Sequence, residues 1–325
     1  MVPVSLLFSA CASSGRDFSG GNGAIYPVPP GIPAPETADS PEFDIPEQDG
    51  GLPVSEFGEI WAYILQDREN ALREGLPISD LGYFGAEVDS YGKLAAVPNP
   101  RAIPRFNGRV HLVVKCDSYS LTHFVLKYNS PERRELIADL LGAARNFDGL
   151  QIDFEYIPVR DREQFFSFLG ELRAGLRDKF FTVALKARTR PVNNDVHDYA
   201  RIGPLVDRIL VMAYDEHWAG SAPGPVAGME WCRDVASYAC SVIGREKLIM
   251  GLPFYGRAWI EPNPAKAYIY SQIESLLGEN GIRETPREKG IPSFEFETPV
   301  VVKGYYEDSG SLAVRLRMYR DMGVR

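Results

Sequence analysis

A (β/α)8 barrel is the fold class that this sequence predicts from about residue 55 onward. Seven short β-rich runs recur, at residues 60–64, 81–84, 110–115, 150–155, 182–187, 209–215 and 248–254, with starts 21 to 40 residues apart. Helical patterns lie between several of them, at 131–146, 161–180 and 230–243. Strands at that spacing with intervening helices make parallel βα units. No G-x-G-x-x-G or P-loop turn follows any strand, which disfavours an open dinucleotide-binding sheet.

The elements follow from local signals. Ser130 stands at an N-cap position and Pro131 in the first turn of the 131–146 helix, both helix-start signals. The seven runs predict seven barrel strands, and a last helix at 308–322 is followed only by Gly323, Val324 and Arg325. The eighth strand is therefore expected to be missing or truncated. Residues 260–303 are too long for a simple βα loop and carry helix and strand signals of their own, so they are expected to form a small inserted lobe beside the active-site face.

Composition bounds the function. The chain has 325 residues, 45% hydrophobic and 24% charged, enough to bury a sizeable core. A formal net charge of -9 repels phosphate backbones on average, and no basic patch stands out, so nucleic acid is not an expected partner. No apolar run reaches 18 residues, which argues against a spanning helix. Cys116, Cys232 and Cys240 are scattered and read as buried thiols rather than a disulfide framework.

The N-terminus differs from the rest. Cys11 follows an apolar run over residues 4–10 and precedes small residues at 12–15, a pattern like that of a bacterial lipoprotein signal in which the cysteine becomes lipidated. Residues 12–53 hold eight Pro, seven Gly and seven acidic residues against one Arg. Such a segment cannot bury enough apolar surface to fold. The expectation is a lipid-anchored protein of the bacterial cell envelope or exterior, with a disordered linker over 12–54, a catalytic barrel over 55–325, and a membrane contact made only through the anchor.

The fourth predicted strand carries the chemistry. In Asp148-Gly149-Leu150-Gln151-Ile152-Asp153-Phe154-Glu155 the side chains alternate, placing Leu150, Ile152 and Phe154 on one face and Gln151, Asp153 and Glu155 on the other. Apolar side chains pack under barrel helices, so the polar face points inward. Two carboxylates roughly 7 Å apart at the strand's C-terminal end are costly unless paired, hydrogen-bonded or protonated. Burial and like charge raise a carboxyl pKa, and an acid still protonated near neutral pH can act as a general acid. The terminal position suits Glu155.

That run resembles the D-G-x-D-x-D-x-E signature of glycoside hydrolase family 18, the chitinase-like barrels, with Gln151 in place of one Asp. Val211-Met212-Ala213-Tyr214-Asp215-Glu216-His217-Trp218 is similar to the sixth-strand region of the spore-cortex-lytic N-acetylglucosaminidase branch. Gly251-Leu252-Pro253-Phe254-Tyr255-Gly256-Arg257-Ala258-Trp259 resembles the family's seventh strand. The resemblance implies retaining, substrate-assisted hydrolysis, in which the sugar's 2-acetamido oxygen is the nucleophile. Glu155 would then be the acid and later the base, Asp153 would stabilise the oxazolinium, and Tyr214 would hold the acetamido oxygen. Gln151, Asp215, Tyr255, Arg257 and Trp259 are the expected substrate-binding residues. Gln151 is expected to lower the pKa of Asp153 and shift the pH optimum. The family also implies a tryptophan on the eighth strand, at the floor of the cleavage subsite, which has no counterpart here.

Other chemistries fit poorly. Asp215, Glu216 and His217 are adjacent and point to opposite faces of a strand, and no H-E-x-x-H or G-x-S-x-G pattern occurs, so neither a metal nor another cofactor is expected. The expected partner of a monomeric enzyme is an N-acetylglucosamine-containing glycan, peptidoglycan ahead of chitin oligosaccharides. An inactive chitinase-like glycan-binding protein is the alternative from another functional class.

Overall fold

Seven of the apolar runs become parallel strands: β1 (Trp61–Leu65), β2 (Asp80–Val88), β4 (Arg109–Lys115), β5 (Gly149–Asp153), β6 (Phe180–Lys186), β7 (Arg208–Met212) and β8 (Leu248–Met250), while the two-residue β3 (Leu94–Ala95) pairs antiparallel with β2. The computed structural model describes residues 57–104, 106–260, 263–297 and 301–324. Cys11 and the acidic linker lie outside these residues. The strand order is β1-β2-β4-β5-β6-β7-β8, so each strand lies beside the next parallel one in sequence. This is the (β/α)8 progression. Among the described residues, no eighth parallel strand joins β8 back to β1.

Helices α1 (Tyr119–Leu126), α2 (Pro131–Ala144), α3 (Arg162–Leu176), α4 (Tyr199–Ile202), α5 (Met229–Val242) and α7 (Ser309–Asp321) accompany the barrel, and α6 (Tyr270–Glu279) belongs to the lobe. Ser130 caps α2 as expected, accepting the Arg133 N–H at 3.1 Å. Asp308 caps α7 in the same way from Ser311 at 2.8 Å. The first two strand connections depart from the βα pattern, since among the described residues the first holds a 3-10 turn at Glu69–Ala71 and the second holds β3 and a 3-10 turn at Pro100–Ala102, with no α-helix in either. Helices therefore cover the sheet from β4 onward.

Strand alternation builds two cores. Outward residues Leu150, Ile152 and Phe154 join Leu136 and Leu140 of α2 and Phe165, Phe168 and Leu169 of α3, with Phe154 stacked on Phe168 at 5.8 Å. Inward residues Ala184, Leu210, Met212 and Ile249 pack against Trp61 and Tyr63 of β1. Side chains thus span the gap between the sheet's edges without a backbone ladder. Gly82 makes room for this, because a Cβ there would stand 2.4 Å from the Tyr63 ring.

The N-terminal end of the barrel is tied by charge. Glu59, just before β1, accepts from Arg208 of β7 at 2.6 Å and from Arg109 of β4 at 3.0 Å. Arg109 also grips buried Asp80, which takes a 2.7 Å hydrogen bond from His111. This network links both sides of the open seam. Burial alone would raise the Asp80 carboxyl, but bonds from His111, Arg109 and Ser79 outweigh it and hold the group at about 2.

The predicted lobe is present with shifted bounds. Strands β9 (Tyr255–Ile260), β10 (Asn263–Ile269), β11 (Arg287–Glu288), β12 (Ile291–Glu297) and β13 (Val301–Tyr305) form a separate antiparallel sheet, order β10-β9-β13-β12-β11, around Ala258, Phe294, Val302 and α6's Ile273. The expected seventh strand at 248–254 is accordingly shorter, ending at Met250, and residues 255–259 open the second sheet. Buried Arg315 of α7 bonds Glu307 at 2.8 Å and the Ala227 carbonyl, anchoring the last helix to the loop after β7.

Because its pKa is depressed in the fold, Asp80 contributes stability that is present above the unfolded carboxylate value near 4 and lost as pH falls through about 2. Asp80→Asn is expected to cost on the order of 2 kcal/mol at pH 7 by removing the charge that Arg109 and His111 share, although Arg109 keeps Glu59. Urea unfolding of both proteins checks this, and the deficit should shrink toward pH 2.

Candidate active site

Parallel strands place all their C-terminal ends on one face, and the polar residues collect there. On β5, Gln151 and Asp153 point into the barrel, and Glu155 follows two residues beyond the last paired position. Asp153 is 4% exposed, whereas the Glu155 side chain is 24% exposed. One acid is sunk in the barrel and the other faces the cleft.

Their environments raise both carboxyls. Burial is the largest cause for Asp153, followed by the charges of Glu155 and Asp117, and together they push it to about 8. Glu155 is also raised, chiefly by burial, with Lys186 opposing and Asp117 and Asp215 reinforcing. Gln151 donates to Thr182 Oγ1 at 3.1 Å and meets the Tyr63 hydroxyl. Its neutrality does not restore Asp153 to the ordinary range, because desolvation dominates.

Tyr214 lies just past β7, packed on Leu210, Met212 and Ile249 and edge-on to Tyr255 at 6.4 Å. Gly251 is required there, since a Cβ would stand 2.8 Å from the Tyr214 ring and 3.0 Å from the Val211 carbonyl. Asp215 adopts a left-handed backbone, φ 60°, which aims its carboxylate sideways at the lobe. Its Oδ1 accepts from the Tyr255 hydroxyl at 2.6 Å and from Arg257 Nη2 at 2.7 Å. Tyr255 and Arg257 thus hold Asp215 in place, and both are almost fully buried.

Trp259 requires a correction. Expected among the substrate-binding residues, it is 4% exposed, packs edge-on against Tyr305 and donates its indole N–H to the Ser221 carbonyl at 3.0 Å. The reason is that β9 belongs to the lobe's sheet rather than to the barrel, so Trp259 points into the packing between lobe and α5.

Several groups around the acids escaped the sequence reading. Lys186 ends β6 with its ammonium 4.0 Å from Glu155 Oε2 and 5.1 Å over the Tyr156 ring. Period-two alternation through Thr182 and Ala184 places Lys186 inward, a signal that was available. Tyr156 meets exposed Tyr119 edge-on at 5.4 Å. Asp117 is paired with Lys115 at 2.6 Å. Below them, His197 is buried against the Glu155 backbone and held neutral by burial and nearby Arg188. Nothing in its sequence position pointed to that contact.

An acid pair inside the mouth of a parallel barrel, with Tyr214 just past the end of β7, is an arrangement compatible with glycoside hydrolysis. Residues 117–320 match the model of glycosyl hydrolases family 18, and the chain belongs to that family. Among its relatives, the Bacillus subtilis (strain 168) protein named "Putative sporulation-specific glycosylase YdhD" is 34% identical over 217 residues, covering 63% of this chain and 51% of that protein. The cortical fragment-lytic enzyme of the same organism is 25% identical over 290 residues, 81% of this chain and 66% of its own length. The chain therefore spans about half to two thirds of these relatives. The spore cortex-lytic enzyme SleL of Bacillus cereus shares the fold, with a TM-score of 0.71 at 22% identity over 82% of this chain and 69% of that one.

A carboxyl raised to about 8 makes folding most favourable below the unfolded value near 4, and that advantage fades as pH rises through 8. Relative to the wild type, Asp153→Asn should become progressively more stable between pH 5 and pH 8, by an amount on the order of a few kcal/mol at the upper end. Thermal unfolding across that range measures it. Parallel stability curves would contradict the raised pKa.

Proposed function

We propose that this chain hydrolyses β-1,4 bonds after N-acetylglucosamine in peptidoglycan, with retention of configuration, by substrate-assisted catalysis. The observation that carries the reading is the inward pair of Asp153 and Glu155 at the end of β5, the deeper acid almost dry and the outer one open to the cleft. Of that pair, Glu155 is the one open to the cleft. That arrangement suits a mechanism in which the substrate supplies its own nucleophile.

Glu155 donates its proton to the glycosidic oxygen as the C1–O bond breaks, and the leaving sugar departs as an alcohol. The 2-acetamido carbonyl oxygen attacks C1 and forms an oxazolinium, with its N–H directed to Asp153. Asp153 accepts that N–H as a hydrogen bond and so stabilises the positive charge that develops on the intermediate. Tyr214 holds the acetamido oxygen, and Asp215, fixed by Tyr255 and Arg257, contacts the same sugar. Water, deprotonated by Glu155, then opens the oxazolinium and returns the proton.

Peptidoglycan is favoured over chitin by the names of the relatives, and by an N-terminal pattern that would tether the barrel at the bacterial envelope through Cys11. A glycan-binding protein without activity is the alternative, and it is opposed by the presence of Glu155 beside Asp153.

Mass spectrometry of purified peptidoglycan and of N-acetylglucosamine oligomers after incubation should reveal new N-acetylglucosamine reducing ends. Glu155→Gln is expected to lower the rate by about 10²–10⁴-fold, the contribution of a general acid, with an unchanged circular dichroism spectrum. Binding without cleavage by the unmodified chain would favour the glycan-binding reading.

A further inference from the structure

Lys186 stands apart from the other charges around the cleft. Asp117 is neutralised by Lys115 at 2.6 Å and Asp215 by Arg257 at 2.7 Å, both tight pairs. Among the described residues, the only ion pair of Lys186 is the looser one to Glu155 at 4.0 Å, and its side chain remains 35% exposed. A general acid must be protonated when it acts, and in that state Glu155 no longer balances the ammonium. Tyr156, on which Lys186 rests, and Tyr119 beyond it extend an aromatic surface outward from the acid.

We propose that Lys186 and the Tyr156–Tyr119 pair form a subsite for a carboxylate-bearing sugar on the leaving-group side of the cleaved bond. The acid's proton goes to the oxygen that bridges the two sugars, so a cation about one contact from that carboxyl reaches a substituent on the departing ring. The acetamido-bearing sugar is held by Asp153 and Tyr214 inside the barrel, which leaves the outward aromatic side to its neighbour. An anionic substituent restores the charge balance that Glu155 gives up on protonation, and the tyrosine rings cover an apolar ring face. The substrate class is thereby narrowed to acidic N-acetylglucosamine glycans whose carboxylates are free of peptide. This inference rests on the reading of Glu155 as the acid.

The probes are a peptide-free peptidoglycan glycan strand, the same strand with its lactyl carboxylates reduced to alcohols, and chitotetraose. Binding is measured to the Glu155→Gln chain, whose amide mimics the protonated acid, and cleavage is measured with Glu155 intact. The acidic strand should bind about fivefold or more tightly than its reduced form, a partly shielded ion pair's worth, with the preference weakening as salt rises. Adding Lys186→Gln should erase the preference and Lys186→Arg should restore it. Equal losses on acidic and reduced strands, accompanied by a displaced pH–rate profile, would overturn the inference and assign Lys186 to tuning Glu155 alone. Cleavage by the intact chain with no charge preference would also overturn it. Charge-selective binding without any cleavage would support the subsite and defeat the hydrolase reading instead.

Discussion

Desolvation of Asp153 is the constraint on which the cleft depends. The β5 alternation that sends Leu150, Ile152 and Phe154 into the helical layer sends Gln151 and Asp153 into the barrel, and no local choice of rotamer can undo that assignment. A carboxyl in that position is tolerated by remaining protonated, and the charge of Glu155 nearby favours the same state. The polar groups nearby fit this arrangement. Gln151 supplies hydrogen bonds without a third negative charge, and Lys186 offsets part of the burial cost at Glu155.

Holding that pair requires a rigid barrel, and among the described residues seven parallel strands build it without a ladder from β8 to β1. Trp61 and Tyr63 reach across the interior to Leu210 and Ile249, and Glu59 clamps Arg208 at the N-terminal end. The lobe contributes on the opposite face. Its first strand carries Tyr255 and Arg257 to Asp215, so a residue that turns out of β7 through a left-handed backbone is fixed by the neighbouring sheet. Trp259, on the same strand, ties the 216–226 loop to the lobe through Ser221. The cleft is therefore shared between two sheets with separate cores.

Much of this was legible in the sequence because it rests on periodicity. Strand spacing gave the parallel order, Ser130 and Pro131 gave the start of α2, and alternation in residues 148–155 gave the inward acids. The departures have physical causes. Helical patterns were read between several strands, and the first two connections, where none was read, turn through 3-10 segments and the short β3 instead. Trp259 was misplaced because an apolar alternating run reads alike whether it continues a barrel strand or opens a new antiparallel sheet. His197 and Tyr119 come near Glu155 only through tertiary folding. Lys186 was readable from the β6 alternation, but its meaning depends on the 4.0 Å approach to Glu155.

The central claim is that the barrel keeps a carboxyl at the end of β5 protonated near neutral pH. Carbon-13 NMR titration of aspartate side-chain carboxyls in the intact chain tests it most directly, with Asp153→Asn used to assign the resonance. One carboxyl titrating near pH 8 and absent from the variant is expected. A spectrum in which every aspartate carboxyl titrates below about 5, as in ordinary solvated groups, would contradict the claim.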